Sequence, residues 1–249
     1  RGLGDVYKRQ LYAALGRERH ASRRDAWRAV WETIKDVEFR MYLGLIGIAT
    51  LLLATALVFQ AGWSPLEALR HSGFQAVSIQ TTTGFGTVDW DTWPDFCRIL
   101  LVGLMFVGGC AGSTGGSIKV VRYLVMSRLA WAQVRRFFRP RRVTTVQVGT
   151  TVIDDGMQRA IAGFFVLFIA TWGTVALFLT AMGNDLVTSV SASIACLGNI
   201  GPGLAGVGAA QNYAEFSDVS KLVLSASMIV GRLEIYTVLG LLSRSFWRA

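Results

Sequence analysis

The amino-acid sequence predicts an all-α integral membrane protein that contains two repeats of a membrane span, a short re-entrant pore helix and a second membrane span. Composition supports this fold class, because 52% of the 249 residues are hydrophobic and only 16% are charged, whereas about 25% of the residues of soluble domains are charged. Long uncharged apolar segments also occur, and shorter helix-forming segments that end in glycine-rich runs follow them. We therefore expect the chain to lie in a lipid bilayer.

The first repeat is predicted over residues 41–126. Residues 41–60 carry no charge and are about 20 residues long, which is enough to cross a hydrocarbon core of roughly 30 Å. A shorter and more polar helix is predicted over residues 64–80, with Ser64 as its N-cap and Pro65 in its first turn. This helix is too short to span a bilayer, and it fits a re-entrant helix that is buried against protein.

The segment QTTTGFGTVDW, at residues 80–90, follows this short helix. Two apolar pieces come next, at residues 96–107 and 120–126, and the glycine-rich segment GGCAGSTGGSIK at residues 108–119 separates them. We expect these pieces to form one membrane span that a loop interrupts at membrane depth.

The second repeat, over residues 157–249, has the same order of segments. An apolar span is predicted at residues 161–182, a second short helix at residues 185–197 ends in the run LGNIGPG, and a last span covers residues 219–242. Short helices that point inward in both of two repeats are typical of transporters and channels.

Basic residues concentrate in residues 11–40, in residues 127–156 and at the C-terminus. Cytoplasmic loops are rich in lysine and arginine, so both segments are interpreted as cytoplasmic linkers and both termini are expected on the cytoplasmic side. The two glycine-rich loops would then enter from the outside. Residues 1–10 lack any of these patterns, and we expect them to be extraneous to the native chain.

Four carboxylates are predicted on the outer side. Asp89, Asp91 and Asp95 follow the first loop, and Asp185 precedes the second short helix. Such charges would raise the local concentration of cations at a pore mouth. For Asp185 an alternative role remains open, because a carboxylate also stabilises the N-terminus of a helix.

The chemistry of the two loops favours a monovalent cation. A helix that points inward ends with carbonyl groups that carry partial negative charge, and the backbone carbonyls of a returning strand can replace the hydration shell of an ion. Gly84 and Gly201 occupy equivalent positions and permit the unusual backbone angles this needs. The Thr82 and Thr83 hydroxyls could add ligands. By itself, the segment TTTGFGT favours a surface turn, and it is the preceding short helix, the two flanking spans and the repeat that favour a filter.

Four motifs occur in the order TTTGFGT, GGCAGSTGGSIK, GNIGPG and GRLE, and they resemble those of the Trk/Ktr/HKT superfamily of potassium transporters. The NIGPG form is most similar to TrkH-type membrane subunits, and the resemblance runs from about residue 36 to residue 247. Members of the superfamily have four repeats with fourfold pseudo-symmetry around one potassium-channel-like pore. The resemblance therefore implies that this chain supplies the C-terminal two repeats and that two further repeats complete the pore.

The resemblance also implies which residues form the site, with K+ bound at the filter carbonyls and no cofactor. The filter residues are Thr82, Thr83, Gly84, Phe85, Asn199, Ile200, Gly201 and Pro202. The gate loop residues are Gly108, Gly109, Gly112, Ser113, Thr114, Gly115, Gly116 and Lys119. The usual family sequence GSTAGGIK is GSTGGSIK here, so that Gly115 stands at an alanine position and Ser117 at a glycine position.

Two charges, Arg232 and Glu234, are expected near the middle of the last span, where charges are costly and are usually paired or functional. They are two residues apart and do not face each other on a regular helix. The resemblance implies that a positive charge below the filter contacts the gate loop, as Arg232 would. The alternative is a buried arginine that holds two helices together.

The implied setting is the inner (plasma) membrane of a bacterium, where the protein would take up K+ as a homodimer with a cytoplasmic ring of nucleotide-binding regulatory subunits. The basic residues of 127–142 could contribute to that contact, although binding to anionic lipid headgroups is the simpler interpretation. Two further functions stay open at this point. One is a helix-packing membrane subunit without its own pore, and the other is a cation symporter coupled to Na+ or H+.

Other function classes find no support in the sequence. GSTGGSIK departs from a phosphate-binding loop, which needs lysine directly after glycine. Cys97, Cys110 and Cys196 form no CxxC pair and have no histidine cluster beside them, which argues against zinc and disulfide sites. There is no arrangement typical of a hydrolase and no nucleic-acid-binding module, so we expect neither an enzyme nor a nucleic-acid partner.

Overall fold

The computed structural model describes residues 34–139 and 151–242, together with residue 31 and residues 147–149. Expectations for residues 1–30, 140–146 and 243–249 lie outside the described residues. Helices dominate the described part of the chain. They are α1 (Val37–Ala61), α2 (Pro65–Gln80), α3 (Asp95–Met105), α4 (Val120–Phe138), α5 (Asp155–Ala181), α6 (Leu186–Leu197), α7 (Asp218–Leu233) and α8 (Ile235–Leu242).

The two longest apolar helices fall where the sequence predicts them. Among the described residues, α1 and α5 are each long and apolar enough to cross a membrane. The pair α7 and α8 counts as a third span if the two bent helices are taken together. The predicted span over residues 96–126 is not a continuous helix, because α3 ends at Met105 and α4 begins only at Val120.

Both short helices begin at the predicted caps. The Ser64 hydroxyl accepts a hydrogen bond from the Glu67 N–H (3.4 Å), and Pro65 occupies the first turn of α2. The Asp185 carboxylate accepts hydrogen bonds from the backbone N–H groups of Val187 and Thr188 at the start of α6. These contacts satisfy N–H groups that have no partner inside the helix.

The last predicted span is the main departure from expectation, because it is broken rather than continuous. The helix stops at Leu233, and α8 leaves at an angle of 105° to α7. Glu234, between the two helices, has a positive φ of 64°, which a regular right-handed helix cannot accommodate. The expectation that Arg232 and Glu234 lie within one regular helix is therefore wrong.

The basic segment after residue 126 is not simply an irregular linker. Helix α4 continues through it as far as Phe138. A two-stranded antiparallel hairpin follows, with β1 (Gln147–Val148) paired to β2 (Thr151–Val152). The Arg128 guanidinium donates a hydrogen bond to the Gln147 carbonyl and so ties the hairpin back to α4.

One shared core joins the two halves of the chain. Leu53, Ile79 and Leu101 come from the first half and Phe168 and Ile194 from the second, and all five are fully buried in a single cluster. This packing sets the ends of α2 and α6 close together, and the two glycine-rich loops begin at those ends.

Candidate ion pathway and gate loop

The two candidate filter loops, residues 81–86 and residues 198–203, leave their helices with the same backbone hydrogen bonds. In the first loop, the N–H of Thr82 donates to the Ile79 carbonyl (3.0 Å), and the Thr83 and Gly84 N–H groups both donate to the Ser78 carbonyl. In the second loop, each of these bonds recurs 117 positions later, as with Asn199 to Cys196 (3.0 Å).

The backbone angles of the two loops also match. Thr82 and Asn199 have φ values of 58° and 54°, and Gly84 and Gly201 have φ values of 75° and 108°. Only glycine adopts positive φ without steric cost, and asparagine tolerates it better than most residues. Two segments with little sequence identity thus share one backbone path.

The two loops are in direct contact at Gly84. A Cβ atom added to Gly84 would collide with the Ile200 carbonyl oxygen and would touch the Pro202 ring at 3.0 Å. Gly84 is therefore required both for its backbone angle and for the close approach of the second loop.

Several carbonyl groups of these loops accept no hydrogen bond from the described residues. Within the described residues, no hydrogen bond is donated to the carbonyl oxygens of Thr82, Thr83, Gly84, Asn199 or Ile200. Uncommitted backbone carbonyls on neighbouring strands are the ligands that potassium filters use. The described residues contain no cluster of three acidic, histidine or cysteine side chains that could hold a metal ion instead.

Two other carbonyl groups of the predicted filter are already engaged by protein. The Ser78 hydroxyl donates to the Phe85 carbonyl (2.6 Å), and the Tyr213 hydroxyl donates to the Gly201 carbonyl (2.6 Å). Burial raises the pKa of the Tyr213 phenol, so the group remains a donor at physiological pH. The two hydroxyl groups hold the second halves of the two loops.

The candidate gate loop, residues 108–119, is closed by hydrogen bonds between its two ends. The Gly108 N–H donates to the Ile118 carbonyl (2.9 Å), and the Val120 N–H donates to the Gly109 carbonyl (3.1 Å). The Lys119 ammonium group crosses the loop and donates to the Ser113 carbonyl (2.9 Å). These bonds satisfy backbone groups that no helix serves.

The candidate gate loop lies directly against the base of both candidate filter loops. A Cβ atom at Gly116 would collide with the Gly198 carbonyl oxygen, and one at Gly115 would lie 3.1 Å from the Thr82 hydroxyl. The glycine-rich composition of the loop is therefore a packing requirement, as well as a source of flexibility.

Ser117 shows how the loop tolerates a residue larger than glycine. Its φ is 60°, a left-handed conformation that favours glycine. Its hydroxyl donates to the Met105 carbonyl at the end of α3 (2.6 Å), and this contact is buried. The hydrogen bond offsets part of the backbone strain.

Of the two predicted gate-contacting charges, only Glu234 reaches the candidate gate loop. Its carboxylate lies 4.0 Å from the Lys119 ammonium group and accepts a hydrogen bond from Arg122 (2.7 Å). The Arg122 guanidinium also stacks on the Phe164 ring, 3.8 Å from its centroid. Arg232 is exposed, and no hydrogen bond or ion pair joins it to the described part of the loop.

A buried carboxylate near the start of α1 also contacts the loop. Glu38 has no exposed surface, and its Oε1 accepts a hydrogen bond from the Ala111 N–H (2.5 Å). The sequence prediction assigns this position to a basic linker and overlooks it. The one available signal is an acidic residue in the first turn of the helix that continues into the uncharged residues 41–60.

Asp91 connects the two halves of the chain. It accepts a hydrogen bond from the Ala205 N–H (3.1 Å), just beyond the second filter loop, and it pairs with Arg98 (3.1 Å). Asp185 has the helix-capping role that the sequence left open. Hydrogen bonds from the side chain and backbone of Thr188 hold the pKa of its carboxyl group below the usual value.

Comparisons with known proteins agree on one family. The family model described as "TrkH: Cation transport protein" matches residues 34–247. The protein named Trk system potassium uptake protein TrkH of Vibrio parahaemolyticus is 39% identical over 216 residues, which is 86% of this chain and 44% of that protein. The TrkH of Escherichia coli K12 is 36% identical over 218 residues, with the same coverage of both chains.

The fold agrees as well. The solved structure entitled "Crystal Structure of the Potassium Transporter TrkH from Vibrio parahaemolyticus" superposes with a TM-score of 0.83 at 37% sequence identity, and it covers 96% of this chain and 49% of that chain. This chain therefore spans about half the length of the relatives that it matches. The resemblance inferred from the sequence is confirmed, and the chain belongs to the TrkH family of cation transport proteins.

Proposed function

We propose that this chain forms two sides of a four-sided, K+-selective pore and that the candidate gate loop controls passage beneath it. In this proposal, the two halves of the chain are pore repeats, and two further repeats of the same kind complete the ring. The relatives' printed names support K+ as the ion. A homodimer and a cytoplasmic nucleotide-binding regulatory ring remain part of the proposal, as does a location in the bacterial inner membrane with cytoplasmic termini.

The contact between Gly84 and the Ile200 carbonyl carries this proposal. The two loops share a backbone path, meet at a glycine and leave five carbonyl groups without hydrogen-bond donors. Loops that only connect helices need none of these features. Of the five residues that carry these carbonyl groups, only Ile200 is buried in this chain and the others are partly or fully exposed, so their carbonyl oxygens are accessible to an ion, whose hydration shell such groups can replace. The same observation favours a pore over a purely structural subunit.

The position of the candidate gate loop supports its proposed role. The loop touches Thr82 of the first filter loop and Gly198 at the base of the second, so an ion that leaves the filter inward meets it first. Its three exposed residues, Gly112, Ser113 and Thr114, form the part that is least packed. Displacement of that part would open the path without disturbing the filter.

A substitution at Gly84 tests the filter assignment. In the full-length subunit, Gly84→Ser places a side chain against the Ile200 carbonyl oxygen, so it should distort the filter and lower K+ over Na+ selectivity by about tenfold or more, the change that about 1.4 kcal/mol produces. Uptake of K+ and Na+ into proteoliposomes measures this ratio.

Gly62→Ser is the matched control. Gly62 has nearly the same φ, 71°, but a Cβ atom there meets nothing within 4 Å. The Gly62→Ser variant should therefore carry a similar backbone strain and leave the K+ over Na+ selectivity unchanged. Unchanged selectivity in Gly84→Ser, with normal membrane insertion, would contradict the filter assignment. A reversal potential that follows the Na+ or H+ gradient as well as the K+ gradient would indicate a coupled symporter.

A further inference from the structure

Glu38 is a buried carboxylate at the start of a membrane-spanning helix, and the filter and gate assignments give it no role. It lies in the first turn of α1 and has no exposed surface. A buried carboxylate is costly unless hydrogen bonds or opposite charges compensate it. The contacts that compensate Glu38 therefore indicate what it does.

The hydrogen bond that compensates Glu38 comes from the candidate gate loop. Its Oε1 accepts a hydrogen bond from the Ala111 N–H, near the start of the loop (2.5 Å). The start of α4 and Lys119, at the end of the loop, also favour the ionised carboxylate, whereas burial and the nearby Asp36 oppose it. Its Oε2 is buried and has no close hydrogen-bond partner among the described residues.

Helix α4 needs such a partner. It begins at Val120 directly after the loop, and its N-cap, Lys119, provides no side-chain acceptor for the first N–H groups. Those groups carry partial positive charge and favour a carboxylate. Glu38, on α1, places a carboxylate near this helix N-terminus and favours it electrostatically.

We infer that Glu38 is a positioning residue that fastens both ends of the candidate gate loop and thereby biases it toward the conformation beneath the filter. The inference rests on the proposed function, since it names what restrains the gate. When the loop moves, Ala111 withdraws its N–H group and leaves a buried carboxylate less compensated. Opening therefore becomes less favourable with Glu38 than without it.

Three substitutions in the full-length subunit separate the geometry from the charge. Glu38→Asp keeps the charge but is one methylene too short to reach Ala111. Glu38→Gln keeps an acceptor for Ala111 but removes the charge. Glu38→Ala removes both. Glu67→Gln serves as the control, because Glu67 is also an acidic residue in a first helical turn but is exposed.

The first readout is the modification rate of Cys110, the residue next to Ala111, by a small thiol reagent, with the labelling of a Cys110→Ser background subtracted. Cys97 and Cys196 are buried, whereas Cys110 is partly exposed. The Asp and Ala variants should raise the rate by about tenfold, and Gln should raise it less. Since Gln and Ala both remove the charge beside Cys110, the difference between them reports the lost contact.

The second readout is K+ flux with its K+ over Na+ ratio. The Asp and Ala variants should raise the flux several-fold at an unchanged ratio, because the filter is not altered. If Cys110 in Glu38→Asp is modified no faster than in the unsubstituted protein, the inference is overturned. It is also overturned if Cys110 is modified at equal rates in Glu38→Gln and Glu38→Ala. If Glu38→Ala does not insert into the membrane, the comparison of Glu38→Asp with Glu38→Gln tests the inference. If no variant carries K+, the proposed function fails, while the Cys110 rates still decide the role of Glu38.

Discussion

Single residues in this structure are constrained more by backbone conformation than by side-chain chemistry. Thr82, Ser117 and Asn199 all have positive φ values between 54° and 60°. For residues with a Cβ atom, this conformation costs roughly 1–2 kcal/mol and persists only where the surroundings impose it. All three lie in the candidate filter loops or the candidate gate loop, where strained residues are most common in proteins.

Ser117 gives a test at this scale. Ser117→Ala should lower the thermal midpoint of the detergent-solubilised full-length protein, because the buried Met105 carbonyl loses its donor, at a cost of about 1–3 kcal/mol. Ser117→Gly loses the same hydrogen bond but relieves the left-handed backbone, and should therefore be less destabilised than Ala. A Gly variant that is less stable than the Ala variant would show that the backbone strain is unimportant there.

At the scale of elements, the break between α7 and α8 brings a carboxylate to the candidate gate loop. A continuous helix would not change direction at Glu234. The positive φ at Glu234 instead turns the chain, and the carboxylate meets both Lys119 and Arg122 at the start of α4. The last helix pair is thereby linked to the end of the loop by charge.

A pair of substitutions compares the two charges on either side of the break. Glu234→Gln should loosen the end of the candidate gate loop and raise K+ flux several-fold, because Lys119 and Arg122 both lose a partner. Arg232→Gln should have the smaller effect, because Arg232 is exposed and makes no hydrogen bond or ion pair with the described part of the loop. Flux measurements on both variants decide the point. A larger effect at Arg232 would favour the role that the family resemblance implies for it.

The sequence was sufficient for most elements, because apolar length, caps and glycine runs are local signals. It predicted α1, α2, α5 and α6 close to their observed bounds. It did not predict the break at Glu234, since the glycine and the two charges in the run GRLEIYTVL mark the segment as unusual but form no recognisable turn motif. That break depends on partners from α4, which are distant in sequence.

At the scale of the whole molecule, the two halves are joined both by a shared core and by a polar contact that Asp91 makes. Asp91 bridges Arg98 in its own half to the Ala205 N–H in the other. Half-buried ion pairs are worth more than exposed ones, since water screens them less. The contact lies beyond both filter loops and fixes their spacing.

A matched pair of carboxylates tests this link. Asp91→Ala should lower both the thermal midpoint and the K+ over Na+ ratio of the full-length protein, because the second loop loses its tie to the first. Asp95→Ala is the control, because Asp95 pairs with the same Arg98 (2.9 Å) but is exposed and has no recorded contact with the second half. Equal effects of the two substitutions would indicate that the loss of a negative charge, rather than the loss of the contact between Asp91 and the Ala205 N–H, causes the change.

The sequence by itself determined the membrane class, the positions of the main apolar helices and the family, because hydropathy, capping residues and ordered glycine motifs are properties of neighbouring residues. Only the tertiary structure decided which distant residues meet. Examples are Gly84 with Ile200, Glu234 with Lys119 and, least predictable of all, Glu38 with Ala111. These contacts arise from the packing of helices that lie far apart in the chain, and a single sequence carries no local signal for them.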